Sequence, residues 1–155
     1  MMAGLVLVAH APVASAMLSC IEHILGKTPD RVVAVDILPD ADLLKAREKL
    51  LRAVESVDAG AGVLLLSDLF GATPCNLAME VASAYTGSQC ALISGLNAPM
   101  LLRTLTYRDQ TLQSLAEKAV LGGRNGIVSS GTLPQQKQKT NMSDRHGPAG
   151  DYHQQ

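Results

Sequence analysis

At 155 residues the chain is sized for one domain with a sizeable core, and 13 basic against 14 acidic residues leave a net charge of −1. That balance offers no field to nucleic acid or to an anionic membrane, which excludes both as direct partners. No apolar run approaches the ~20 residues of a spanning helix, and Met1 to Ala9 lacks the basic region of a secretion signal.

Leu5-Val-Leu-Val-Ala9 is continuously apolar, the pattern of a central strand buried on both faces, and it ends at His10. Ala11-Pro12 turns the chain into a helix on which Met17, Leu18, Ile21, Ile24 and Leu25 share a face; Gly26 and Pro29 stop it. Arg31 to Ile37 reads as the second strand. Asp40 is expected to cap a long amphipathic helix with an apolar stripe of Leu43, Leu44, Leu50, Leu51, Val54 and Val57. Its other face, Lys45, Arg47, Glu48, Lys49, Arg52 and Glu55, belongs in solvent.

Val63-Leu-Leu-Leu-Ser-Asp68-Leu-Phe-Gly71-Ala-Thr73-Pro74-Cys-Asn76 follows. Its apolar run is a buried third strand that stops at Asp68, turns at Gly71 and opens a helix, with Thr73 expected as N-cap and Pro74 at the first helical position. That helix runs to about Tyr85, and Cys90 to Ile93 is the fourth strand. Asn97 or Ala98 caps a short helix continuing through Leu105. A last helix is expected from about Asp109 to Leu121, closed by Gly122-Gly123, before a short fifth strand at Gly126 to Ser129. From Leu133 the composition turns polar, so residues 133–155 are expected to form a mobile tail, with His146 and His153 as solvated side chains. His23 reads as structural or surface, and Met79 and Met100 as core or interface filling. Cys20, Cys75 and Cys90 lack metal-ligand spacing and read as buried thiols of a reducing compartment, which makes a soluble cytoplasmic protein the expectation.

Alternating strands and helices imply an α/β fold, an open doubly wound sheet that is mainly parallel. In the order 2-1-3-4, the first and third strands are neighbours whose connections leave to opposite faces, and a crevice opens above their C-terminal ends. This places His10 and Asp68 side by side, about one strand spacing of ~4.8 Å apart, with Asn97 one strand further along.

A histidine so placed can act as general base, metal ligand or nucleophile. No Ser or Cys stands beside it in a strained elbow, and one His with one Asp makes a poor metal site. In the third role His10 is itself the nucleophile, accepting a phosphoryl group on one ring nitrogen while Asp68 holds the other N–H. The phosphoryl oxygens would meet the backbone of Gly71, Ala72 and Thr73 and the helix N-termini. No Walker-type loop is present, and neither metal nor nucleotide cofactor is called for.

The segments Ala9-His10, Ser67-Asp68-Leu-Phe-Gly-Ala-Thr73-Pro-Cys-Asn76 and Gly95-Leu-Asn97-Ala-Pro99-Met100-Leu resemble the three active-site segments of the enzyme IIA domain of the mannose-type sugar phosphotransferase system. The similarity spans roughly residues 3 to 130, and its specific part is Asp-Leu-Phe-Gly-x-Thr-Pro-x-Asn. It implies that residues 1–132 are one such domain, five-stranded and homodimeric, in many members with an antiparallel last strand exchanged between subunits. It also implies a histidine phosphorylated by the phosphocarrier HPr, which passes the group to a IIB component, with contact to a membrane only through the permease. By this resemblance His10 and Asp68 carry the transfer, Gly71, Ala72 and Thr73 hold the phosphoryl group, and Ser67 and Asn97 support them. Phe70, the only Phe, either projects as a docking contact or folds back onto the sheet edge.

Two positions depart from the family pattern. Ala11-Pro12 follows the histidine where Gly is frequent, and Gly71-Ala72 replaces a frequent Gly-Gly, each methyl restricting its turn. The polar tail is too short for a fused IIB domain, so a separate IIB chain is the expectation. Within the family, sugar uptake competes with a regulatory role read out by other proteins. Outside it stand the phosphoryl-transfer subunit of dihydroxyacetone kinases, whose second loop usually reads Asp-Leu-Gly-Ser, and a non-enzymatic flavodoxin-like binding module.

Overall fold

The computed structural model describes residues 1–130, so the tail from Leu133 with His146 and His153 lies outside the described residues. Strands β1 (Gly4–His10), β2 (Val32–Ile37), β3 (Val63–Ser67) and β4 (Cys90–Ser94) alternate with helices α1 (Val13–Leu25), α2 (Leu43–Val57) and α3 (Thr73–Ala84). Two more helices follow, α4 (Ala98–Thr106) and α5 (Leu112–Asn125). The four strands form one parallel sheet in the order β2-β1-β3-β4.

Alternation along each strand divides the core in two. Val6, Val8, Val35, Val63 and Leu65 face α2 and α3, packing on Leu50, Val54, Leu77 and Val81. Leu5, Leu7, Leu64 and Leu66 point the other way, onto Ile21 of α1, Met100 and Leu101 of α4 and Leu115 of α5. β1 and β3 are buried on both faces, as their unbroken apolar runs require.

Several element ends differ from the expectation. Pro39-Asp40 forms a turn closed by Ala41 N–H on Leu38 O, so α2 starts later and Asp42, not Asp40, caps it by accepting from Leu44 and Lys45. Leu43 and Leu44 therefore lie on the surface instead of in the apolar stripe. Gly122 and Gly123 do not close the last helix. They lie inside α5, where a Cβ on Gly122 would collide with Arg103 Cβ and one on Gly123 would meet Met100 Cε at 2.8 Å. These glycines let α5 lie close on α4, and the helix begins at Leu112, after the N-cap Thr111 whose hydroxyl oxygen accepts Ser114 N–H, instead of at Asp109.

With α5 continuing to Asn125, the expected fifth strand at Gly126 to Ser129 is absent from the single chain: Gly126 ends the helix, and residues 127–130 find no strand partner among the described residues. Of the three thiols, Cys75 is buried, Cys90 is half-buried and Cys20 is exposed, because the inner face of α1 is occupied by Ala14 and Ile21. His23 is exposed, Met100 is core and Met79 lies at the surface.

At the edge of the sheet away from His10, Arg108 is buried. Its Nε and Nη2 donate to Ala3 O at 3.0 and 2.7 Å, while Nη1 donates to Asp30 O at 2.6 Å. It fastens the turn before α5 to the starts of β1 and β2, and burial lowers its pKa.

Candidate active site

β1 ends at His10 and β3 at Ser67-Asp68, on adjacent parallel strands with Val8 opposite Ser67. The chain leaves β1 for α1 on one face and leaves β3 for α3 on the other, so the crevice between them is the switch point. There His10 Nδ1 lies 2.8 Å from Asp68 Oδ2. The same oxygen accepts the His10 backbone N–H at 3.1 Å, and Oδ1 accepts Leu69 N–H at 2.9 Å.

The carboxylate is thus held by three donors, one of them the ring. Partial burial raises the Asp68 carboxyl, but the His10 ring and backbone N–H bonds, the field of the ring and the Leu69 N–H together hold it below its ordinary value. An ionised carboxylate can only accept, so the proton between the two groups belongs to Nδ1, and in the neutral ring the lone pair is then on Nε2. The His10 side chain is 50% exposed and that of Asp68 17% exposed, so the ring reaches solvent while its partner is sheltered.

The turn after Asp68 differs in detail from the sequence expectation. Gly71 has φ 79°, a left-handed conformation that requires glycine, whereas Ala72 has φ −79° and ψ 166° in ordinary extended space. The methyl of Ala72 is accommodated without strain. Ala11 too avoids positive φ. Ala72, not Thr73, is the N-cap residue: the Gly71 turn ends one residue early, and Thr73 is the first helical residue with no capping bond from its side chain. Asn76 closes the turn from inside the helix by donating its side-chain N–H to Gly71 O at 3.2 Å. The N–H groups of Gly71, Thr73 and Cys75 have no acceptor among the described residues. This leaves the N-terminus of α3 open to an anion.

The N-terminus of α1 is not open in this way, because Asp36 Oδ1 accepts the N–H of Ala14 at 3.0 Å and of Ser15 at 3.2 Å. Asn97 caps α4 through Met100 N–H at 2.9 Å and donates to Gly123 O at 3.2 Å, so both ends of its amide are engaged in scaffold. Ser67 is fully buried and its Oγ has no hydrogen-bond partner among the described residues, His10 and Asp68 included. Phe70 is 76% exposed and Leu69 is exposed beside it; the ring projects instead of folding back. Asp36 escaped the sequence reading of the site, and Asn76, though part of the active-site segment, was given no role there. The signal for Asp36 was a carboxylate inside an otherwise apolar strand.

Fold and site together define an α/β domain that presents a carboxylate-held histidine at the switch point of a parallel sheet. The family model described as EIIA-man, PTS system fructose IIA component, matches residues 4–120. The chain belongs to this family of phosphotransferase-system IIA components, whose members serve as phosphocarriers in sugar phosphotransfer.

The PTS system mannose-specific EIIAB component of Escherichia coli K12 is 30% identical over 136 residues, 86% of this chain and 41% of that protein. The chain therefore spans about two fifths of that relative. The PTS system sorbose-specific EIIA component of Lacticaseibacillus casei is 31% identical over 98 residues, 63% of this chain and 68% of that protein. Among solved structures, EIIA from Streptococcus agalactiae superposes with a TM-score of 0.74 at 28% identity, covering 83% of this chain and 97% of that one. The mannose/sorbose-specific IIA subunit from Enterococcus faecalis gives 0.74 at 25% identity, covering 87% and 98%. No helix among the described residues is long and apolar enough to cross a membrane.

Proposed function

We propose that the chain is a phosphohistidine carrier that takes a phosphoryl group from phospho-HPr onto Nε2 of His10 and passes it to a IIB component in sugar uptake. The observation that carries this reading is the 2.8 Å bond between His10 Nδ1 and Asp68 Oδ2 at a ring that is half exposed. Asp68 fixes the tautomer, so the lone pair on Nε2 is directed at the incoming phosphorus. As the Nε2–P bond forms, the P–N bond of the donor histidine breaks and its electron pair returns to the donor ring. The proton on Nδ1 stays with His10, shared with Asp68.

The transferring group carries its charge on three oxygens, and catalysis asks mainly for position and for donors to those oxygens. The open N–H groups of Gly71 and Thr73 serve that purpose at the loop following Asp68. Both reactants are protein surfaces, and exposed Phe70 serves as a docking contact beside the histidine. The same reading makes the chain a cytoplasmic homodimer.

The test is incubation with enzyme I, HPr and phosphoenolpyruvate, followed by intact mass and site mapping. One phosphoryl group on His10, acid-labile and alkali-stable, is expected. Label retained in His10→Ala, or an alkali-labile bond, would sink the assignment.

A further inference from the structure

We propose that Asp36 sets how tightly His10 holds its phosphoryl group, an inference that rests on the carrier reading above. Asp36 lies on β2 with its Cα opposite Ala9, and the next pair in register is His10 with Ile37. Helix α1 starts after Pro12, which has no side-chain acceptor to cap it. A neighbouring strand supplies the cap: Asp36 Oδ1 takes the N–H of Ala14 and Ser15, and Ile37 O takes the N–H of Ala11 at 3.0 Å. The segment leaving His10 is tied to β2 at three points.

The charge of Asp36 has a second effect. The N-terminus of a helix carries about half a positive charge, and here a carboxylate cancels it on the helix that follows the histidine. The N-terminus of α3 has no side-chain cap and keeps its field. A phosphoryl group on His10 brings roughly two negative charges. Asp68 compensates its own repulsion by holding the ring N–H, but Asp36 makes no hydrogen bond to the ring. Its whole electrostatic effect on the phosphoryl group is therefore unfavourable. The phosphoryl group is held less tightly and is easier to hand on.

The experiment is a competition. Full-length ¹⁵N-labelled wild type and unlabelled Asp36→Asn share a limiting pool of phospho-HPr, and intact mass gives each one's phosphorylated fraction at equilibrium. Asparagine keeps an acceptor oxygen for the cap and removes the charge. The expected result is that Asp36→Asn takes the larger share at low salt, by about threefold to tenfold, the order for charges acting on each other through solvated surroundings. The advantage should shrink as salt screens it.

A purely structural role changes melting temperature and both transfer rates without moving this equilibrium share. Asp42→Asn, which removes the cap charge of α2 at the same sheet edge, should share evenly with wild type. Asp36→Ser, neutral and still an acceptor, replaces Asp36→Asn should the latter not fold. An even share, or an advantage indifferent to salt, overturns the proposal while leaving the carrier reading intact. Wild type that takes no phosphoryl group on His10 removes both.

Discussion

Asp68 engages both carboxylate oxygens, one with the His10 ring and backbone N–H and the other with Leu69 N–H, and on the proposed carrier reading it orients the ring instead of accepting the phosphoryl group itself. Asp68→Asn keeps the shape but not the charge, so Nδ1–H loses its strong acceptor and the ring is free to turn or to change tautomer. Transfer through His10 is expected to slow by ~10²–10⁴, the range for an acid–base or orienting partner, with the fold unchanged by circular dichroism. The contact also has a pH signature. The folded carboxyl sits below its ordinary value, so the contact stabilises the fold above the unfolded pKa of about 3.9. That contribution is lost as pH falls through the lowered folded value. Urea unfolding should therefore show a larger stability gap between wild type and Asp68→Asn at about pH 5 than at about pH 2.5. A gap that is the same at both values would remove the ionised contact from the account.

Between elements, a polar junction away from the histidine is built on Asp58 at the end of α2. Its carboxylate accepts Ser88 Oγ–H and N–H, Gly60 N–H and the hydroxyl of Tyr85, joining the ends of α2 and α3 to the loops before β3 and β4. The Ser88 hydroxyl is the largest of the causes that push this carboxyl far below its ordinary value, and the carboxylate in turn pushes Tyr85 up to about 12. Asp58→Ala should cost about 2–3 kcal/mol, in keeping with hydrogen bonds to a charged group, measured by urea unfolding at neutral pH. The junction was not legible in the sequence, since its partners lie up to 30 positions apart. The strands were legible, because β1 and β3 are buried on both faces and so are apolar without a break. Some helix ends were legible, Gly26 after α1 and Asn97 before α4 among them, but the start of α2 was not: Asp40 and Asp42 are chemically equal candidates, and the turn at Pro39 decides between them. The glycines of α5 read as a stop because their real partner, the backbone-side surface of α4, is distant in sequence. His10 and Asp68 could be paired in advance because a switch point needs only strand order to bring two strand ends together. The cap supplied by Asp36 depends on a side chain crossing from β2 to α1, which no local pattern announces.

At the scale of the molecule, the open sheet ends in two edge strands, β2 and β4, and apolar surface flanks the second. β4 is an edge strand whose five residues are all half-buried, and among the described residues only β3 pairs with it. Beside it Ile93, Ala116, Val120 and Leu121 line a shallow cavity of about 420 Å³, and Ile127 with Val120 borders a second of about 170 Å³. Ile127 and Val128 follow α5 with 80% and 76% exposure, more than aliphatic side chains tolerate at no cost. An open edge of this kind, flanked by apolar surface, invites pairing with another chain. A second copy meeting it about a two-fold axis covers both edges with one self-complementary contact. Multi-angle light scattering at micromolar concentration is expected to give twice the 16.3 kDa of the chain. The double variant Ile127→Asp, Val128→Asp should shift that mass to the monomer, since it places charge on the contact without touching the core. Its far-ultraviolet circular dichroism should match wild type, because both side chains already face solvent in the single chain. A wild type that elutes as a 16.3 kDa monomer would leave the β4 edge unpaired and remove the dimer from this description.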